Sequence, residues 1–243
     1  MMSARANRGR TWAVVGGAVL LIGVVAVIVA AITGRTSSPD PTSASTTAHP
    51  STPTASATGM DGEVVDAGAT RKGWVAEPIT TDADTYIRAA LAAASTFDTT
   101  LSSREEWLAY LDTWLTPDTR YDESERAADL RSVKVELRQA VVIPQEQWDS
   151  LAQQNGRVVA KADGAVARQS VPADATGHMT IGTADVVLTT TSSDGSSGEL
   201  SYDEKIRVSV QVLCGEGSIP TPHSAQRAGD CKIVRYFTEP LEP

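Results

Sequence analysis

The hydrophobic and polar positions of this chain change period along its length. Residues 12–33, WAVVGGAVLLIGVVAVIVAAIT, run for 22 positions without a charge. A helix of that length rises roughly 33 Å at ~1.5 Å per residue, enough to cross a bilayer core of ~30 Å. From about Thr80 the apolar residues recur at helical spacing. Thr81 or Asp82 is placed to cap a helix with apolar positions at Ile87, Ala90, Leu91, Ala94 and Phe97. Ser103 and Glu106 form a capping box ahead of a second helix, where Trp107, Leu108, Leu111, Trp114 and Leu115 make one apolar stripe. Pro117 ends it. The spacing of that stripe fits a buried helix face better than the wall of a ligand site. A third, more polar helix is predicted over 122–130.

Beyond this point the period shifts to two. Val133, Val135, Leu137, Val141 and Ile143 alternate with Lys134, Glu136 and Arg138, which predicts a strand closed by Pro144. A short helix is expected over 145–153. Strands follow over 157–169, 179–191, 200–214 and 231–237, the first broken by Asp163-Gly164, a hairpin or bulge signal. In the strand over 200–214, Ile206, Val208, Val210 and Val212 share one face, and Lys205, Arg207, Ser209 and Gln211 share the other. That alternation predicts a half-buried antiparallel strand with a wet outer face. The tail TEPLEP, with its two prolines, is expected to fray. Helices first and a meandering sheet after predict an α+β domain, its helices packed on one face of a curved antiparallel sheet.

The uncharged run follows Arg5, Arg8 and Arg10, and one arginine, Arg35, comes just after it. The run exceeds the ~7–15 apolar residues of a signal peptide, so an uncleaved anchor is expected. The positive-inside rule keeps the N-terminus in the cytoplasm and places the rest outside. Residues 1–11 then form a cytoplasmic stub too small to be an enzyme, and 12–33 the transmembrane helix. Residues 34–79 form a linker and lead-in, in which Trp74, Val75 and Ile79 suit an extended segment laid onto the domain. In 34–59, Ser, Thr and Pro fill 17 of 26 positions, which cannot build a core. At ~3.1 Å per residue such a linker reaches about 80 Å. Residues 80–243 make one extracytoplasmic domain. Of the chain's 21 basic and 30 acidic residues, four basic and one acidic precede residue 61, so the remainder carries a net −12. That charge repels phosphate backbones and excludes nucleic acid as a partner.

The residues carry little chemistry. His49 lies in the linker; His178 and His223 sit beside turn residues without helix-spaced partners, so zinc motifs are absent. No nucleophile elbow or phosphate-cradling loop occurs. Asp98, Asp185 and Tyr202 are the acid–base groups one would nominate, and any acidic domain offers several such groups. No catalytic, cofactor-binding or metal-binding residue is assigned. Cys214 and Cys231 are the only cysteines and both follow the span. Cys214 ends one strand and Cys231 begins the last, with a Gly/Pro-rich loop between. In an oxidising compartment that arrangement predicts a disulfide.

The helix pair YIRAALAAASTFDTTLSSREEWLAYLDTWLTP (Tyr86–Pro117) and the strands after it resemble the nuclear transport factor 2-like, or cystatin-like, fold. Joined to one N-terminal span and a Ser/Thr/Pro linker, the pattern is similar to membrane-anchored proteins of conjugation and type IV secretion machinery in actinobacteria. The resemblance implies a non-catalytic scaffold at the cell membrane that associates with itself or with protein subunits of the apparatus. Bitopic proteins of this fold also accompany lipid importers of the mycobacterial cell-entry type, and a small-ligand-binding module is the other alternative. No cofactor is implied.

Overall fold

The first helix forms where the sequence supplies both a cap and a stripe. In a computed structural model, which describes residues 62–193, 195–196 and 198–241, α1 spans Ala83–Ala93. The Asp82 carboxylate accepts a 2.8 Å bond from the Thr85 N–H. The helix buries Ile87, Ala90 and Leu91. Phe97, expected on this helix, lies instead in the short strand β1 (Phe97–Asp98), because the helix ends at Ala94. The capping box is present at α2 (Arg104–Thr113), which buries Trp107, Leu108 and Leu111. Past α2 the chain runs beside the last strand: Thr116 N–H donates to the Ile233 carbonyl at 2.7 Å, and Ile233 N–H to Trp114 at 2.9 Å.

The strand expected over 133–143 is not a strand. Helix α3 spans Glu123–Glu136 and continues as a π-helical turn over Leu137–Val141. The same apolar residues also satisfy a helical spacing, and Val133 and Leu137 are the two that become buried. Tertiary contacts select that reading. Arg138 donates both guanidinium arms to Asp112 on α2, at 2.8 and 2.7 Å, and Arg104 of α2 donates to the Ile143 carbonyl. Helix α4 (Gln145–Ala152) follows and buries Trp148.

Five strands pair antiparallel in chain order: β1, then β2 (Arg157–Ser170), β3 (Met179–Ser193), β4 (Glu199–Leu213) and β5 (Lys232–Tyr236). The register of β2 on β3 shifts between Asp163 and Ala167, where Gly164 has φ +67°. Such a shift bends a strand, and Arg88 of α1 donates to the Gly164 carbonyl across the bend. Helix α1 packs against β2, β3 and β4. It comes close because Gly182 of β3 has no side chain: a Cβ there would lie 2.6 Å from Ile87 Cδ1. The result is the expected α+β architecture, helices packed on a strongly curled antiparallel sheet.

Two expectations about the C-terminal part are corrected. The outer face of β4 is wet only in its first half, since Ser209 and Gln211 are buried. Among the described residues of the tail, Leu241 is held on Ser209 instead of fraying, while 238–240 are exposed; Gln211 donates to Met179 Sδ. Leu241 N–H donates to Ser209 Oγ, Thr183 Oγ1 donates to the Leu241 carbonyl, and Leu241 and Phe237 pack on Val171, Met179, Ile181, Leu213 and Val234. The proposed stub, span and first part of the linker fall outside the described residues. No helix among the described residues is long and apolar enough to cross a membrane.

Candidate functional site: a filled interior and a buried ion pair

Between the helices and the sheet lies a wall of rings. Trp107 and Trp148 stack at 5.7 Å between centroids, and Phe97 meets both at a tilt, at 5.0 and 4.5 Å. Tyr86, Tyr110 and Trp114 meet at 5.8 and 6.0 Å, and Trp74 stacks on Tyr110 at 4.9 Å. Trp107, Trp114, Val186, Val210 and Val212 are fully buried. A shallow hollow bordered by Arg168, Asp174, Met179 and Thr180 opens to solvent at the β2–β3 turn, away from these rings.

The nominated acid–base groups do not converge. Asp98 is at the end of β1 and accepts from Thr100. Asp185 is mid-β3, half-buried and paired with Arg207 and Lys205, whose hydrogen bonds hold its carboxyl below the usual carboxylate range. Tyr202 lies opposite Thr190 near the other end of that hairpin. His178 has a packing role: its Nδ1 accepts from the Glu216 N–H at 3.1 Å, and its ring occupies the space a Cβ on Gly215 would take. His223 is exposed. No group of metal-ligating side chains occurs among the described residues.

Cys214 and Cys231 are joined in a disulfide, with α-carbons 4.0 Å apart. The loop they close, 215–230, folds back over the end of α2. Ile219 N–H donates to Thr116 Oγ1, and Thr221 Oγ1 donates to the Thr113 carbonyl.

Beneath that loop is a cluster the sequence reading did not identify. Glu77, from the lead-in, and Lys232, from β5, are 0% and 1% exposed and pair at 2.8 Å. Glu77 Oε1 also accepts from Tyr86 Oη at 2.7 Å and from Gln226 Nε2 at 3.1 Å. Lys232 Nζ donates to the Thr113 carbonyl at 2.6 Å and to Thr221 Oγ1 at 2.8 Å. Tyr110 Oη accepts from the Glu77 N–H and donates to the Val75 carbonyl. The second carboxylate oxygen of Glu77, Oε2, has no partner. Burial pushes the Glu77 carboxyl up and the Lys232 ammonium down, while their mutual attraction opposes both shifts. Burial likewise raises the Tyr86 phenol. The available signal was a charge inside an apolar run: Glu77 in WVAEPI and Lys232 in CKIVRY. The cluster is enclosed by Thr221 and Gln226 of the disulfide loop, so it fastens the lead-in, α2 and β5 together.

No family model and no curated protein matches the chain. Among solved structures it is similar to CagV, a VirB8 homologue of the T4SS from Helicobacter pylori strain 26695. The identity is 15% over 61% of this chain and 89% of that one, with a TM-score of 0.33.

Proposed function

We propose that this chain is a non-catalytic, membrane-anchored scaffold subunit of a conjugative transfer or type IV secretion apparatus, with its folded domain outside the cell membrane. One observation carries the reading. The space between helices and sheet, where enzymes and ligand carriers of this architecture hold their substrates, is occupied here by Phe97, Trp107, Trp114 and Trp148. With the interior filled, the domain has its surface to work with, and a surface recognises other proteins. The uncharged run over 12–33 and the arginines before it support the topology. The T4SS named for CagV agrees in kind, and the proposal does not rest on that likeness. A reporter fused after Gly59 tests the placement. An export-dependent alkaline phosphatase should be active there, and activity of a cytoplasm-dependent reporter at the same site would refute it.

A further inference from the structure

Strand β4 pairs with β3 from Glu199 to Leu213 but with β5 only over Val210–Leu213. Among the described residues, no strand lies along the other edge of 199–208. Leu200 and Tyr202 on this stretch are 61% and 52% exposed. The Ser209 carbonyl accepts from Phe237 N–H on the β5 side. Main-chain groups alternate sides along a strand, and β4 holds one unbroken register on β3. Ser201, Asp203 and Lys205 therefore also turn their N–H and C=O groups to the open edge. An edge of this length is a template for a further strand.

We infer that this edge pairs with the same edge of a second copy of the chain, antiparallel about a two-fold axis at Glu204. The side chains select both occupant and register. With Glu204 on the axis, Asp203 of each copy lies opposite Lys205 of the other, Tyr202 opposite Ile206, and Leu200 opposite Val208; Glu204 facing its own copy is the one like-charged pair of this register, set against two Asp203–Lys205 pairs and four apolar ones. Opposite charges and apolar pairs facing each other across strands are the stabilising combinations. Sliding two residues one way opposes Asp203 to its own copy and Tyr202 to Glu204. Sliding the other way opposes Lys205 to its own copy and Ile206 to Glu204. A one-residue slip turns every side chain to the wrong face. In the chosen register the pairs formed by Asp203 and Lys205 are the hydrogen-bonded ones, as the direction of the Ser209 carbonyl requires. The charges already on this face, Lys205 with Asp163 and Asp185 and Asp203 with Thr189, would continue into the second copy as one ladder.

The inference deepens the scaffold reading and rests on it only for the use made of the pairing. Cysteine cross-linking of the full chain in its membrane tests it. Glu204 meets its own copy as a non-hydrogen-bonded pair, with α-carbons about 4.5 Å apart, within disulfide range. Glu204→Cys should give a disulfide-linked dimer under mild oxidation. Tyr202→Cys alone should not, because its copies lie about 13 Å apart along the strands. Tyr202→Cys co-expressed with Ile206→Cys should cross-link between copies. A Glu204→Cys dimer no more abundant than that of Tyr202→Cys alone overturns the pairing. Glu204 and Tyr202 are exposed, so their variants keep the fold, and Glu204→Cys against Tyr202→Cys decides the test without the half-buried Ile206. If cross-linking fails while the chain still co-purifies with other membrane subunits, the edge pairing is lost and the scaffold reading stands.

Discussion

Replacing Lys232 by Met removes one half of the buried ion pair and leaves its volume nearly unchanged. At the 2.8 Å separation of Lys232 Nζ and Glu77 Oε1, and with an effective dielectric constant of about 20, the attraction is roughly 6 kcal/mol. Desolvating two ions costs several kcal/mol each, so the intact pair contributes little net stability. Breaking it is different. Glu77 is left buried with no countercharge, and the Thr113 carbonyl loses a donor. The expected loss is about 3–5 kcal/mol, a large part of the ~5–15 kcal/mol typical of a domain. The double variant Glu77→Gln with Lys232→Met should lose less than the sum of the two singles, since neither charge is then stranded. The pH dependence has a definite sign. Burial raises the Glu77 carboxyl above 4.5, so its contribution is full below that value and falls as pH rises through the folded value. Without Lys232 the folded value rises further, and the gap to the parent should widen from pH 4 to pH 8. Urea unfolding of the full chain in detergent, followed by tryptophan fluorescence, reads all of this. A Lys232→Met loss under ~1 kcal/mol, or strict additivity of the singles, would refute the reasoning.

Gly182→Ala should destabilise by about 1–3 kcal/mol because its Cβ would meet Ile87, and Ile87→Ala in the same chain should recover part of that loss in the same urea assay. Ser103→Ala should cost about 1 kcal/mol through the lost cap, while NMR titration shows Glu106 rising from about 2, where its bonds from Ser103 and the Lys72 ammonium hold it. Glu106's contribution is present above 4.5 and is lost as pH falls through about 2. Reducing Cys214–Cys231 should cost about 3 kcal/mol and speed hydrogen exchange across 215–230 first, since that loop closes over Lys232.

What the sequence revealed and concealed follows from the range of each interaction. Caps and local stripes are written within a few residues, so Asp82, the Ser103–Glu106 box and the β2–β4 hairpins were legible. Between 133 and 143 the apolar residues fit both a two-residue and a helical period. Long-range contacts, Arg138 to Asp112 and Arg104 to Ile143, decide between them, and no local pattern records those. The tail was misjudged for the same reason: its two prolines signal a loose end, but Leu241 has a waiting partner in Ser209. Cys214 and Cys231 were readable because two cysteines leave one pairing. Glu77 and Lys232 stand 155 residues apart, and only their placement inside apolar runs hinted that each needed a buried partner. Asp98, Asp185 and Tyr202 looked plausible because sequence cannot reveal convergence, and the fold scatters them.

The most direct measurement is in-membrane cross-linking of the full chain in its native cell, followed by purification and mass spectrometry of what is captured. A scaffold outside the membrane should bring down other membrane-apparatus subunits, a coupling ATPase or transfer subunits among them, through its ectodomain. Recovery of lipid-importer permeases, or of a tightly held small molecule with no protein partner, would contradict it.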